Sequence, residues 1–364
     1  MRSVRIAHSP TEAALTDSSG TLPVDVSSAI SSKQRRNRTC RLQPHQPSYG
    51  QEFFVTSDSS ATQKNQSAPI DLVRVRHLFA RPQRLTESDF LRREIAARMQ
   101  ERLALVRLTP LRVLDAGCGE GADLLPLQKR YPAAQILGID AAAAMVQKAR
   151  STQGAASSAL NKLMAQWLPV RHTGAAMLCG DFARLPVAPQ SIDLVWSNLA
   201  LHWHPSPDQV FAEWRRVLRV DGLLMFSCFG PDTFKQLRSA FTAVDPSPRI
   251  LPFVDMHDFG DMLVEAGFST PVMDMETITV TYRSIDKLLA EVRALGGNPL
   301  GTRTRSLTGR QRWQEMKDQL EQLRGPDGTI ALTFEVIYGH AFRPAPKTTS
   351  RGESIVRLDF PPRK

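Results

Sequence analysis

The sequence predicts an α/β protein: a mostly parallel sheet of seven strands, an antiparallel strand at its C-terminal edge, and helices on both faces. Three observations predict it. Between about residues 88 and 229, short runs rich in Val, Ile and Leu alternate with segments of helical period, and strands apolar along their whole length belong to parallel sheets covered on both sides. Three of the runs deliver an aspartate at or near their ends. Beyond residue 230 the alternation gives way to two strand-like runs with helices between them, the pattern of an antiparallel addition to a sheet edge.

The elements follow in order. A helix is expected over Ser88–Leu105, with Thr86 or Ser88 as N-cap and Phe90, Leu91, Ile95, Met99 and Leu103 along one face. Strand RVLDAG (112–117) precedes a helix over Ala122–Arg130, and QILGID (135–140) precedes one over Ala142–Arg150. AMLCGD (176–181) and SIDLVWSNLA (191–200) read as the third and fourth strands. A helix over Asp208–Leu218 turns Val210, Phe211, Trp214, Val217 and Leu218 inward, and Asp221-Gly222 leads into LLMFSCF (223–229). After a helix over about Met256–Ala266, stopped by Gly267, ETITVTY (276–282) alternates as a strand. Helices over Ser284–Leu295 and Gly309–Leu323 lead to the closing strand TFEVIYGHAF (333–342).

The ends differ in character. Residues 1–68 are rich in Ser, Thr, Gln and Pro around a basic knot, KQRRNRTCR (33–41). Such a segment buries too little apolar surface to offset chain entropy, so it is expected to be disordered, or to reflect a start placed upstream of the natural one. It has no apolar signal-peptide core. Residues 343–364 read as a disordered basic tail, which leaves one domain over 69–342.

The 364 residues carry a formal charge of +10. Residues 1–66 hold 8 basic and 5 acidic side chains and residues 343–364 hold 6 and 2, leaving 32 and 29 for the stretch between. The excess sits at the ends, so a nucleic-acid partner is not expected. No run reaches the roughly 18 to 20 apolar residues of a membrane span. Cys40, Cys118, Cys179 and Cys228 are scattered without a C-x-x-C pair, which predicts a reducing, cytoplasmic setting and no zinc site.

VLDAGCGEG (113–121) is the strongest local signal. A strand delivers Asp115, and Gly117, Gly119 and Gly121 then let the backbone turn tightly against a ligand. The spacing is not that of a dinucleotide pyrophosphate loop, and a carboxylate there repels phosphate. A ligand bearing an ammonium, a sulfonium and a ribose fits better. Asp140 ends the next strand about twenty residues further on, the place from which a carboxylate accepts both ribose hydroxyls. Asp181, in CGDFARLP, is placed to accept from an adenine amino group, with Phe182 or Leu185 against the ring.

SNLALHWHPSPD (197–208) closes the fourth strand on a His-Trp-His triplet, at the sheet end where open α/β folds bind ligands. Asn198 and Leu199 are expected beside the first ligand. His202 and Trp203 begin a wall facing a second, with His204 and Pro205 turned outward. Two histidines two apart without a matching carboxylate make no metal site.

Taken in this order, residues 110–230 resemble the class I S-adenosylmethionine-dependent methyltransferases, a Rossmann-like family. The resemblance implies S-adenosyl-L-methionine as cofactor, with Asp115, Gly117, Cys118 and Gly119 beside its methionyl part. It sets Asp140 and Ala141 at the ribose, Asp181 and Phe182 at the adenine, and Asn198 and Leu199 beside the transferred methyl. Met145 lines the ribose or adenine side, or is a buried helix position. Within that class, DFARLPVAPQSIDLVWSNLALHW (181–203), EWRRVLRVDGLLMFSCFGPDTFKQLRSAF (213–241), LPFVDMHDFGDMLVEAGF (251–268), RALGGNPLGTRTRSLTGRQ (293–311) and LTFEVIYGHAF (332–342) resemble the malonyl-acyl-carrier-protein O-methyltransferases of biotin synthesis. That implies methyl transfer to the free carboxylate of a malonyl thioester on acyl carrier protein, with residues 230–325 as lid and substrate module. FGPDTFKQLRSAF (229–241) and PFVDMHDFGDMLVEAGF (252–268) also resemble the methyltransferase-like complex I assembly factors associated with arginine hydroxylation. A methyltransferase on another small acid is the third reading.

A malonyl carboxylate is ionised at neutral pH and needs orientation rather than a base. The candidates for that task are His202, Tyr282, Arg81, Arg84 and Arg303. An acidic carrier would dock on the basic cluster Arg303, Arg305, Arg310 and Arg312.

Overall fold

The computed structural model describes residues 3–6, 68–81, 89–156, 175–245, 247–303 and 309–346. Its strands are β1 (Ser3–Ile6), β2 (Arg112–Ala116), β3 (Gln135–Asp140), β4 (Ala176–Cys179), β5 (Ile192–Asn198), β6 (Leu218–Phe229), β7 (Ser269–Tyr282) and β8 (Ile330–Phe342). They form one sheet in the order β1-β7-β8-β6-β5-β2-β3-β4. Neighbours from β6 to β4 pair in parallel, while β8 runs antiparallel to both β6 and β7. The expected seven-stranded mixed sheet is therefore present as β2–β8, with β1 added as an eighth strand and the antiparallel C-terminal strand β8 one place in from β7 rather than outermost.

Period-two alternation divides the strand residues between two cores. Val113, Leu194, Trp196, Leu223 and Met225 face one side; Leu114, Val195, Leu224 and Phe226 face the other. The first side is covered by α2 (Asp89–Ala104), α3 (Leu124–Arg130), α4 (Ala143–Ala156), α6 (Lys235–Thr242), α8 (Ile285–Ala294) and α9 (Arg310–Glu321). The second is covered by α5 (Pro207–Val217) and α7 (Met256–Glu265). Helix α2 shows why the sequence folds this way: Leu91, Ile95, Met99 and Leu103 recur every fourth residue and are all buried. Its polar flank reaches the antiparallel half, where Arg98 pairs with Glu276, and Arg102 donates to Asp274 while stacking 3.9 Å over the Tyr338 ring. A further helix, α1 (Leu72–Phe79), is N-capped by Asp71, whose carboxylate accepts from the backbone of Val73 and Arg74.

Two expectations for the chain ends change. Ser3–Ile6, inside the segment expected to lack structure, pairs antiparallel with Thr281–Ile278 of β7. Arg343, set in the tail, donates through one guanidinium nitrogen to the carbonyls of Arg215, Arg216 and Leu218. It clasps the end of α5, where carbonyls lack helical partners. The remaining residues of 1–67 and 347–364 lie outside the described ones. None of the described helices is long and apolar enough to cross a membrane.

Candidate active site

The C-terminal ends of β2, β3 and β5 converge on the glycine loop. Gly117 has φ +80°, and a Cβ there would collide with that of Ala200, so the approach of the loop to the β5 end depends on a missing side chain. The amides of Gly117 and Cys118 both donate to the carbonyl of Ile139 at 2.8 and 3.0 Å. Asp140 joins the loop to β3: one carboxylate oxygen accepts from Gly119 N at 2.9 Å, the other from Ala142 N at 2.8 Å. Each oxygen keeps further lone-pair capacity for a ligand. Ala141 and the Cys118 side chain border this turn, and Met145 is buried beside Ala142 and Phe79, a helix-core position.

Asp115 lies beneath the loop, buried, with Oδ2 lacking a hydrogen-bond partner. Burial, reinforced by Asp123 and Asp140, holds its carboxyl well above the ordinary range. Asp123 was not singled out from sequence. It accepts from Trp196 Nε1 at 2.9 Å and Asn198 Nδ2 at 3.1 Å, and burial raises its carboxyl too. One buried and two part-buried carboxylates, with an unsatisfied oxygen among them, are what a ligand with cationic groups would relieve. The donor set fits S-adenosylmethionine.

Arg92 was also missed, because on a helix it reads as one more polar-face residue. It lines a recess with Asp115, Gly117, Cys118, Asp123 and Asn198. Its guanidinium holds Asp89 and Glu120 at 3.0 and 3.3 Å, while its buried Nε is unpartnered. Asn198 is fixed by donating to the Arg92 carbonyl and accepting from Ser227 Oγ at 2.9 Å. Leu199 takes φ +52°, an uncommon value for a leucine, and is held there by its amide donating to the carbonyl and the hydroxyl of Ser227.

A 3₁₀ turn over Leu201–Trp203 buries His202. Its Nδ1 accepts from Phe229 N at 3.4 Å and Nε2 has no partner. Aromatic rings of Trp203, Phe229 and Phe253 stand 4.9, 5.0 and 5.5 Å away, and burial pushes the imidazole down to about 3. The ring is neutral, and an accepting Nδ1 leaves the proton on Nε2. His204, expected to turn outward, is instead buried: the return from the turn brings it 4.0 Å from Asp181 and 5.8 Å from the Phe182 ring. Asp181 accepts from Ala183 N at 2.9 Å, and Phe182 packs 6.0 Å from Trp214.

A second, small recess lies between Arg92, Leu199 and His202. It shares Arg92 with the recess at the loop and shares Trp203, Phe229 and Leu295 with a cavity of about 230 Å³. That cavity is walled chiefly by aromatic and aliphatic side chains from the β6 end, α6, α8 and α9, with Arg249 and Arg293 at its margin. Arg249 is held by Asp245, and Arg293 stacks 5.4 Å from the Trp313 ring. Tyr282 lines none of these spaces; it is buried in the core with Leu288 and Ile330, because the inward alternation of β7 that marked it runs into the packed sheet. Arg81 is exposed, and Arg303 lies apart from the cavity. Arg84 and Arg305 lie outside the described residues, while Arg310 and Arg312 are exposed on α9.

Residues 114–226 match the family model described as "Methyltransferase domain". With the sheet order, the glycine loop and the carboxylate set, they define an S-adenosylmethionine-dependent methyltransferase. The malonyl-[acyl-carrier protein] O-methyltransferase of Laribacter hongkongensis is 46% identical over 256 residues, 70% of this chain and 83% of that protein. Those of Gallionella capsiferriformans and Nitrosospira multiformis are 42% and 43% identical, covering 80% and 77% of this chain and 97% and 92% of theirs. The chain belongs to the malonyl-[acyl-carrier protein] O-methyltransferase family. The assembly-factor reading is not favoured, since these relatives carry the methyltransferase name.

Proposed function

We propose that the protein transfers the methyl group of S-adenosylmethionine to the free carboxylate of a malonyl thioester on acyl carrier protein, a step of biotin synthesis in the cytoplasm. The observation that carries the reading is the succession of adjoining recesses, from the glycine loop past Arg92 and His202 to the apolar cavity, each sharing lining residues with the next. Asp115 faces the cationic part of the cofactor, Asp140 its ribose, and Asp181 with Phe182 its adenine. Asn198 and Leu199 form the floor at the methyl. Residues 230–325, which supply most of the cavity, act as the substrate module.

When bound, the cofactor supplies a methyl on a cationic sulfur, so transfer to a carboxylate turns an ion pair into two neutral products. The aromatic wall of His202, Trp203, Phe229 and Phe253 suits that change, because a low-dielectric setting favours loss of both charges. His202 donates from Nε2 to one carboxylate oxygen and leaves the other to attack; being neutral, it does so without trapping the anion. Arg92 supplies a cation at the boundary between the two ligands. Arg310 and Arg312 offer the acidic carrier a basic surface.

The test is incubation with methyl-labelled S-adenosylmethionine and malonyl acyl carrier protein. A base-labile methyl ester is expected on the carrier. Cofactor binding without label on the malonyl group would overturn the proposal.

A further inference from the structure

A separate basic recess of about 160 Å³ lies between the first turns of α1 and the chain after Leu300, lined by Asp71, Arg74, His77, Gly301 and Arg303. Its two guanidinium groups have no salt-bridge partner among the described residues. Arg74 donates from Nε to the carbonyl of Asn298 at 2.8 Å, which fixes the side chain without pairing its charge. Asp71, the one acid present, is engaged at the α1 N-cap. Burial and the nearby Arg303 press the Arg74 guanidinium down from its ordinary value, and the Asp71 carboxylate offsets this only in part. Cations set against each other in a polar pocket hold their places at a cost that an anion removes.

The position of the recess matters as much as its charge. Gly297 and Asn298 line the apolar cavity, and the chain has reached the basic recess by Leu300. A small cluster of Ile70, Leu251 and Leu300, with Trp203 and Phe253 against it, is the partition between the two. Leu251, Trp203 and Phe253 show a face to the cavity, and Leu300 shows one to the recess.

We propose that Arg74 and Arg303, with His77, form a phosphate-binding site that receives the phosphate of the substrate's pantetheine arm while its acyl end occupies the cavity. The inference rests on the proposed malonyl thioester substrate. An acyl carrier presents its thioester on a phosphopantetheine arm, apolar and amide-bearing along its length with one phosphate at the far end. A basic recess one partition away from an apolar cavity matches that order of groups.

The test compares malonyl-phosphopantetheine with malonyl-pantetheine, which lacks the phosphate, at constant ionic strength. The wild-type kcat/KM is expected to favour the phosphorylated thioester by about 10-fold, the scale of one charge-assisted contact. In an Arg74→Gln/Arg303→Gln protein the preference should collapse toward unity. Arg303→Gln alone, which removes no described side-chain bond, should lose part of it. Preference retained in the double variant, or equal losses on both substrates, would overturn the site. Equilibrium dialysis with phosphopantetheine keeps the two proposals apart: wild-type binding that the double variant loses supports the site even if no malonyl thioester is methylated, and equal binding refutes it. Competition by inorganic phosphate as strong as by phosphopantetheine would overturn the arm as ligand and leave a site for free phosphate.

Discussion

Asp115→Asn is expected to make the cofactor-free protein more stable and the cofactor-bound protein less so. The wild-type carboxylate is buried with one oxygen unpartnered, and such a group costs about 1–3 kcal/mol in the apo fold. An amide of the same shape removes the charge. A gain of about 1 kcal/mol raises Tm by roughly 2–4 °C for a domain of this size. Losing one charge-assisted contact to the cationic ligand costs about 2 kcal/mol, a roughly 30-fold weaker Kd. At a ligand concentration 100 times the wild-type Kd, the stabilisation by binding falls from about 2.7 to about 0.9 kcal/mol. Differential scanning fluorimetry with and without S-adenosylmethionine reads both changes at once. The sign with pH follows: the folded pKa of Asp115 lies above its ordinary 3.8, so its contribution to apo stability is fully present below that value and is lost as pH rises through the folded pKa. Cofactor affinity runs the other way, since the carboxylate must be ionised. An Asn variant that melts lower without ligand, or binds the cofactor with unchanged affinity, would refute this reasoning.

Three further outcomes are expected. Gly117→Ala places a Cβ at φ +80° against Ala200 and should destabilise by about 1–3 kcal/mol, with loss of cofactor binding by calorimetry; normal binding would show that the loop can yield. His202→Phe keeps an aromatic ring in the box but removes the Nε2 donor, so kcat should fall by about 10- to 100-fold with cofactor Kd unchanged. Because the imidazole of His202 sits at about 3, no step attributable to it should appear in the wild-type pH–rate profile above about pH 5. Arg343→Ala should cost about 2 kcal/mol in urea denaturation by removing the donor shared by the Arg215, Arg216 and Leu218 carbonyls at the α5–β6 junction; an unchanged midpoint would make the clasp a surface ornament.

The parallel half of the sheet was legible because its signals are local. Val113 to Asp115 and Ile136 to Asp140 are apolar runs that end on acids, and each is the strand that the pattern announces. β7 was read only from Glu276 because its first seven residues alternate with one face exposed, which leaves a weak apolar signal. β1 had less still, four residues in a Ser-rich stretch. The site divided along the same line. Asp115, Asp140 and Asn198 are strand ends, placed by the sheet itself. Asp123 and Arg92 depend on how a loop and a helix dock, and the one available hint for Asp123 was an acid following the third loop glycine. His204 was misplaced because the following proline reads as an exit from the sheet end, whereas the 3₁₀ turn carries the chain back against Asp181 and Phe182.

The place of β8 has a consequence for how the chain is made. β7 pairs with no strand of the parallel half; it is joined to β6 only through β8, the last of the described strands to be synthesised. During vectorial synthesis the parallel strands are complete by Phe229 but the outer edge of β6 stays unpaired, and β7 likewise waits, until β8 emerges and slots between them. Long-range insertion of this kind is slow relative to local pairing. Until then β6, whose Ser227 holds Asn198 and Leu199 in place, keeps an open sheet edge. Premature termination before β8 would leave both β6 and β7 without the strand that joins them.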